Sequence, residues 1–186
     1  MFRMQRPGAT RGSRKAFTLI EILAVIAILG IASALIIPNM GMQNDQYSQA
    51  ASRVIMADLI YAQNQAIVTQ SMVYVTFDSS GQSISLLTAS PANTPLAYMA
   101  NPVTLQNYTR TFNSSSMPQL QNVTLGTVSF DNMTTIAFDE LGAPYSWNSS
   151  GNTTTGLVNT GTIQISSGAY SMTISVEPYT ANLTAQ

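Results

Sequence analysis

The chain has 186 residues, of which 45% are hydrophobic and only 8% are charged, and it contains neither Cys nor His. The lack of Cys excludes disulfide bonds and thiolate chemistry, and the lack of His removes the commonest general base and the commonest metal ligand. Five of the seven basic residues precede residue 16, and the rest of the chain has a formal charge of −6 (two basic and eight acidic residues). A basic head on an acidic body indicates a targeting segment followed by a domain that does not bind nucleic acid.

An apolar segment, 17–37, follows the basic head and contains a single charged residue, Glu21. At about 1.5 Å per residue a helix of this length measures about 31 Å, which matches the hydrocarbon core of one bilayer. Arg11, Arg14 and Lys15 at its start predict that the N-terminus stays in the cytoplasm while the rest crosses the membrane. Because a charge at the centre of a bilayer costs about 2.5–3.5 kcal/mol, an acid here is expected to have a function.

Two simpler interpretations of this segment leave Glu21 unexplained. A secretory signal peptide fits the basic flank, and Ala32-Ser33-Ala34 is similar to a small-residue cleavage site. Its apolar region, however, is usually about 7–15 residues long, which is shorter than 17–37. A plain membrane anchor fits both the length and the flank, but it gives no reason for the acid.

The residues that lead up to Glu21, KAFTLIE from Lys15, resemble the processing site of type IV prepilins and type II secretion pseudopilins. The resemblance implies that a prepilin peptidase removes the basic leader 1–16 by cutting between Ala16 and Phe17. The same enzyme then methylates the new amine of Phe17. The family normally has Gly before the cut, where this chain has Ala16.

The same resemblance implies that three residues serve filament assembly: Glu21, Gly30 and Pro38. Gly30 and Pro38 fall where the family commonly has a helix-loosening Gly and Pro. After cleavage the Phe17 amine lies about 6 Å along the helix axis from Glu21, at 1.5 Å per residue. In a staggered filament, Glu21 of an incoming subunit would instead pair with the Phe17 amine of a subunit already in place.

Beyond Pro38 the pattern stays helical and becomes amphipathic up to about Gln70. Apolar residues recur at steps of four, four, three and four, which places them on one helix face: Ala51, Ile55, Leu59, Ala62 and Ala66. Pro38 is expected to kink or loosen the helix, and it also fits a membrane exit. The prediction is one long helix with a transmembrane half, 17–37, and an amphipathic half, 38–70.

After residue 70 the hydrophobic period changes from helical to alternating, which indicates strands. The predicted strands are 72–77, 83–88, 123–130 (with a bulge at Gly126), 134–138, 162–166 and 171–177. Turns are predicted at 79–81 and 167–169, and 89–122 and 145–161 are predicted to be long loops because they are rich in Asn, Ser, Thr, Pro and Gly. The predicted fold class is α+β, with the long helix packed on a small antiparallel sheet domain, 71–186.

The C-terminal residues narrow the resemblance to GspH/FimT-type minor pseudopilins. That group typically shows a Phe–acid–x–x–Gly turn, which Phe138, Asp139 and Gly142 match. Its closing strand typically ends in Pro-x-Thr-Gly, which Pro178 and Thr180 match, with Ala181 in the place of Gly. The resemblance implies a pilin-like fold.

Together the two resemblances imply a minor pilin-like (pseudopilin) subunit of a type II secretion or type IV pilus filament. They imply a structural protein and not an enzyme, without cofactor, metal site or catalytic residues. The implied partners are other pilins or pseudopilins, the prepilin peptidase and the inner membrane. The protein is expected to cross that membrane once, with its C-terminal domain outside the cytoplasm.

Other interpretations stay open at this point. A DNA-uptake minor pilin would bind nucleic acid, but binding phosphate needs clustered basic residues, and only Arg53 and Arg110 follow the leader. A simple membrane-anchored exported protein is the other alternative. Three acids, Asp131, Asp139 and Glu140, are candidate calcium ligands, but their spacing fits no known loop, which favours solvated turn acids.

Overall fold

The computed structural model describes residues 17–36, 42–89, 96–115 and 117–186. The chain divides into two compact units, Met1–Met40 and Gly41–Gln186. The predicted leader 1–16 and the predicted helix break at Pro38 lie outside the described residues, as does the predicted continuity between the two helical halves.

Helix α1, Leu19–Ile36, forms the described part of the first unit, inside the segment predicted to be transmembrane. It has 18 residues, which corresponds to about 27 Å at 1.5 Å per residue. No helix in the described ranges is both long and apolar enough to span a membrane.

Helix α2, Met42–Thr69, opens the second unit and buries the face that the sequence pattern predicts. The five predicted apolar residues are at most 1% exposed: Ala51, Ile55, Leu59, Ala62 and Ala66. The helix ends where Gln70 takes a positive φ of 50° and the N–H of Ser71 donates to the carbonyl of Ala66. A left-handed residue just after the last turn is a common way for a helix to stop.

Eleven strands follow α2 in the described chain. They are β1 Val73–Asp78, β2 Ser83–Thr88, β3 Ala97–Tyr98, β4 Thr109–Thr111, β5 Thr124–Ser129, β6 Thr135–Phe138, β7 Pro144–Asn148, β8 Thr153–Gly156, β9 Gly161–Ser167, β10 Tyr170–Val176 and β11 Leu183–Ala185. A short 3₁₀ helix, Pro118–Leu120, lies between β4 and β5.

The strands form two antiparallel sheets, and α2 contacts both. The first sheet has the order β3-β2-β1-β6-β7-β8, with β4 also paired to β2, and the second has the order β11-β10-β9-β5. Helix α2 packs against β1 and β6 of the first sheet and against β9 and β10 of the second. This arrangement confirms the predicted α+β class, with a single core between the helix and the sheets.

All six predicted strands, both predicted turns and the bulge are confirmed. The pairing of β5 with β9 shifts register between Leu125 and Val128, around the predicted bulge position Gly126. Strands β9 and β10 are joined by a tight turn in which Ser167 pairs with Tyr170. Gly168 of that turn has a φ of +59°, a conformation that Gly adopts without strain.

The prediction that 89–122 and 145–161 are long loops is wrong. The first segment contains β3, β4 and the 3₁₀ helix, and the second consists largely of the hairpin β7–β8. Strands β3, β4 and β8 lie at sheet edges, and most of their side chains are exposed. An edge strand needs no buried face, so its sequence carries little apolar alternation.

The turn between β6 and β7 fixes the first sheet to the C-terminal half of α2. The carboxylate of Asp139 accepts hydrogen bonds from the N–H groups of Leu141 and Ala143, at 2.9 and 2.8 Å. The carbonyl of Gly142 accepts a hydrogen bond of 2.9 Å from the side-chain amide of Gln63 on the helix. The predicted Phe–acid–x–x–Gly turn therefore connects the first sheet to α2.

Gly142→Ala is expected to destabilise this domain by about 1–2 kcal/mol because φ at this position is +80°. The added methyl group would also lie 3.0 Å from a terminal methyl of Ile67. The measurement is urea unfolding of residues 43–186, which contain the whole described core and are expected to fold alone. Gly151→Ala is the matched control, since its methyl group meets only Thr153, at 3.4 Å. Equal losses for the two variants would contradict the role of the turn.

Candidate assembly site

Helix α1 begins at a Thr–x–x–Glu sequence that satisfies its first turn. The N–H of Glu21 donates to the side-chain oxygen of Thr18 at 3.3 Å and to the Thr18 carbonyl at 3.1 Å. Thr18 therefore acts as the N-cap, and Glu21 stands at the third helical position, where an acid is favoured by the helix dipole. The cap uses the backbone of Glu21, so the carboxylate is not needed for it.

The surface of α1 is apolar on all sides, and nearly all of its described side chains are exposed. Its large aliphatic residues are 48–79% exposed, from Val25 to Leu19. The polar group of Ser33 is satisfied within the helix, where its hydroxyl donates to the Leu29 carbonyl at 2.7 Å. A helix that is apolar all round needs apolar surroundings, either lipid or other helices.

The structure places three of the five predicted site residues on or beside α1. Phe17 precedes the helix and is 75% exposed, Glu21 is exposed in the first turn, and Gly30 lies within the helix. A methyl group built on Gly30 would meet no described atom within 4 Å, so packing against the described residues does not require this Gly. Ala16 and Pro38 lie outside the described residues.

A buried charged cluster in the second unit joins α2 to the edge of the first sheet. Arg110 on β4 forms an ion pair with Asp58 on α2, and the side chain of Asp58 is only 3% exposed. The hydroxyl of Tyr108 donates to the second carboxylate oxygen of Asp58 at 2.8 Å. The ring of Tyr108 also stacks on Tyr61, with the ring centroids 5.4 Å apart. These contacts anchor the segment that precedes β4 to the helix.

Burial and charge pairing set the protonation behaviour of this cluster. Burial and the neighbouring Asp58 carboxylate raise the pKa of Tyr108 to about 12, so its hydroxyl stays a donor at neutral pH. Burial raises the pKa of Asp58, against the opposing effect of Arg110. For Arg110, burial lowers the pKa, but the hydrogen bond and charge of Asp58 outweigh it, so the guanidinium stays cationic.

This cluster was not predicted from the sequence, although a signal for it is present. Asp58 lies on the buried face of α2, three residues after Ile55 and four before Ala62. An acid within an apolar helical face needs a buried partner. Arg110 is one of only two basic residues after the leader, but no sequence spacing connects the two positions.

Two of the three acids considered as calcium ligands, Asp131 and Asp139, bind backbone groups instead. Asp131 accepts hydrogen bonds from the N–H groups of Val158 and Asn159, at 2.8 and 3.1 Å. The bond from Val158 is the main reason that the pKa of Asp131 lies below its ordinary value. Asp139 serves the turn before β7, as described above. Among the described residues no group of three or more potential ligands lies close enough together to hold a metal ion.

Comparison with known proteins finds a family match at the N-terminus and similarity to solved structures. Residues 11–37 match the family described as the prokaryotic N-terminal methylation motif. The structure is similar to the minor pseudopilin EpsH of the type 2 secretion system of Vibrio cholerae, with 10% identity, 75% of this chain and 95% of that chain covered, and a TM-score of 0.49. It is also similar to the type IV minor pilin FimU of Pseudomonas aeruginosa, with 13% identity, 74% and 91% coverage, and a TM-score of 0.45. No curated protein matches the chain significantly.

Arg110→Met is expected to destabilise the fragment 43–186 by about 2–4 kcal/mol, because it leaves the Asp58 carboxylate buried without its cation. Adding Asp58→Asn should recover most of that loss, since the amide is neutral and still accepts from Tyr108. Urea unfolding measures both variants. Arg53→Met replaces the other Arg, which is exposed, and should change the stability by less than about 0.5 kcal/mol. If Arg110→Met loses no more stability than Arg53→Met, the ion pair between Asp58 and Arg110 does not stabilise the domain.

Proposed function

We propose that this chain, a type IV pilin-like protein by its N-terminal methylation motif, is a minor pilin-like (pseudopilin) structural subunit of a filament. The machine is of the type II secretion or type IV pilus class. The observation that carries the proposal is α1, an exposed apolar helix with one acid in its first turn, which lies within the methylation motif. The α+β domain that follows has its own core, built from residues of the second unit.

The proposed mechanism begins with the precursor in the inner membrane. The basic leader keeps the N-terminus in the cytoplasm, and the apolar segment 17–37 anchors the chain with the domain 71–186 outside. Prepilin peptidase cuts between Ala16 and Phe17 and methylates the Phe17 amine. The helix then moves from lipid into a bundle of similar helices, with little penalty because both surroundings are apolar.

The Glu21 carboxylate is proposed to set the register of the incoming subunit. No described residue forms an ion pair with it, and the helix cap uses only its backbone. The Phe17 amine of a subunit already in place is a suitable partner, because pairing offsets the cost of two charges in apolar surroundings. Fixing register is the best-attested use of a buried ion pair.

A DNA-uptake role is less well supported than the filament role. Phosphate binding needs clustered cations, and the guanidinium of Arg110 is already paired with the buried carboxylate of Asp58. That leaves Arg53 as the other basic residue after the leader, in a region with eight acids. Tight DNA binding by the fragment 43–186 in an electrophoretic shift at low salt would favour the nucleic-acid role.

Processing provides the first test in the native host. Mass spectrometry of the mature protein should show loss of residues 1–16 and a methylated amine on Phe17. Deletion of the prepilin peptidase gene should leave the full-length chain, which makes it the control. A mature protein that begins at Leu35 would instead identify a secretory signal peptide.

Substitutions at Glu21 test the assembly role. Glu21→Gln keeps the size of the side chain and the Thr18 cap but removes the charge, so the variant should insert and be processed yet fail to enter filaments. Glu21→Leu should anchor at least as well and also fail, and Glu21→Asp should be partly impaired because its carboxylate reaches about one bond less far. The measurement is co-purification with filament partners from membranes.

Ser33→Ala is the matched control for this series, because it removes a polar group of α1 that bonds only within the helix. It should assemble normally. If Glu21→Gln and Glu21→Leu co-purify with their partners as well as Ser33→Ala does, the acid does not set assembly.

A further inference from the structure

The loop between β3 and β4 carries two large aliphatic side chains at its tip. Val103 is 88% exposed and Leu105 is 81% exposed. Single exposed aliphatic residues are ordinary on protein surfaces. Here, however, two of them stand two positions apart on one short projection from the sheet edge, and neither contributes to the core.

Hydrogen bonds hold the tip in one conformation. The side-chain oxygen of Asn101 accepts from the N–H groups of Val103 and Thr104, at 2.9 and 3.2 Å. The carbonyl of Asn101 accepts from the N–H of Leu105 at 2.8 Å. The two aliphatic side chains are therefore presented by an ordered turn, so that binding through them would cost little ordering entropy.

The base of the loop is attached firmly to the domain. Ala100 and Asn107 form an antiparallel bridge, and the N–H of Met99 donates to the carbonyl of Leu86 on β2 at 2.9 Å. Tyr108, which follows the bridge, is fixed to Asp58 in the core. The contact between Tyr108 and Asp58 thus holds the base of the projecting loop in place.

Leu105 also adopts a backbone conformation that its side chain disfavours. Its φ is +59°, and the other non-Gly residues with positive φ in the described ranges are Gln, Asn, Asp, Tyr and Ala. A branched aliphatic residue is unusual in this region of φ. The side chain of Leu105 is outside the core, and backbone strain of this kind is typical of functional sites.

We infer that Val103 and Leu105 form a docking tip that inserts into an uncharged, apolar pocket on the neighbouring subunit of the filament. The absence of charge at the tip indicates the kind of surface that it binds. No charged residue lies between Asp78 and Arg110, so the loop lacks the cations that attract anionic lipid or nucleic acid. An apolar protein pocket is the surface that matches two uncharged aliphatic side chains.

The small size of the tip points to a filament neighbour and not to a free-standing partner. Stable interfaces bury about 1,200–2,000 Å² in total, and two side chains supply only a small part of this. Such a contact is effective when another attachment already holds the partner close, at an effective concentration of about millimolar. The proposed bundle of N-terminal helices provides that attachment, so the inference rests on the proposed function.

Site-specific photo-crosslinking in the native host tests the docking tip, and the absence of Cys from the chain makes it selective. Full-length Val103→Cys is labelled with benzophenone maleimide, and its adducts are identified by mass spectrometry. Ser150→Cys, on the exposed turn between β7 and β8, is the matched control. Ile31→Cys on α1 reports filament assembly independently of the tip.

We expect Val103→Cys, but not Ser150→Cys, to form an adduct with a subunit that carries a methylation motif. Adding Leu105→Asn should reduce this adduct about ten-fold, because a truncated anchor residue loses most of its binding energy. Asn tolerates positive φ, so the variant should keep its melting temperature, and the Ile31→Cys adduct should persist.

Two results overturn the inference. If Ile31→Cys forms its adduct while Val103→Cys forms none, or crosslinks only to lipid or to a protein without the motif, the tip does not dock on a filament neighbour. If neither position forms an adduct with a pilin-like subunit, the proposed filament function fails, and the inference fails with it.

Discussion

The second unit depends on the burial of one face of α2 against two sheets at once. Three Ala residues on this face allow close approach of the strands, while Ile55 and Leu59 fill the space between the sheets. Without this face the two sheets would each expose an apolar side, because they share one core. The turn at Gly142 and the pair Asp58–Arg110 then fix the helix at two further points along its length.

Few residues of this domain are charged, and most of the charged side chains stabilise the fold. Asp78 accepts hydrogen bonds from the N–H groups of Ser80 and Gly81 in the first hairpin turn. Asp131 and Asp139 bind backbone N–H groups in other turns, and Asp58 is paired with Arg110. This use of the acids agrees with a structural protein.

Glu21 contrasts with these acids. It is the one acid of α1, and the described structure gives its carboxylate no partner although its backbone completes the helix cap. The exposed apolar surface of α1 and this unpartnered charge both require surroundings that the described residues do not supply. The proposed filament supplies both, as a bundle of apolar helices and as the amine of a neighbouring subunit.

The sequence by itself determined the features that depend on local pattern: the basic N-terminal segment, the apolar segment, the buried face of α2, the main strands, the bulge near Gly126 and the methylation motif. Hydrophobic period and turn chemistry act within a few residues, so they can be read along the chain. Only the tertiary structure decided the edge strands β3, β4 and β8, because such strands are defined by a neighbour's hydrogen bonds and not by their own side chains. It likewise decided that Asp58 meets Arg110, 52 positions away, since folding alone brings such distant charges together.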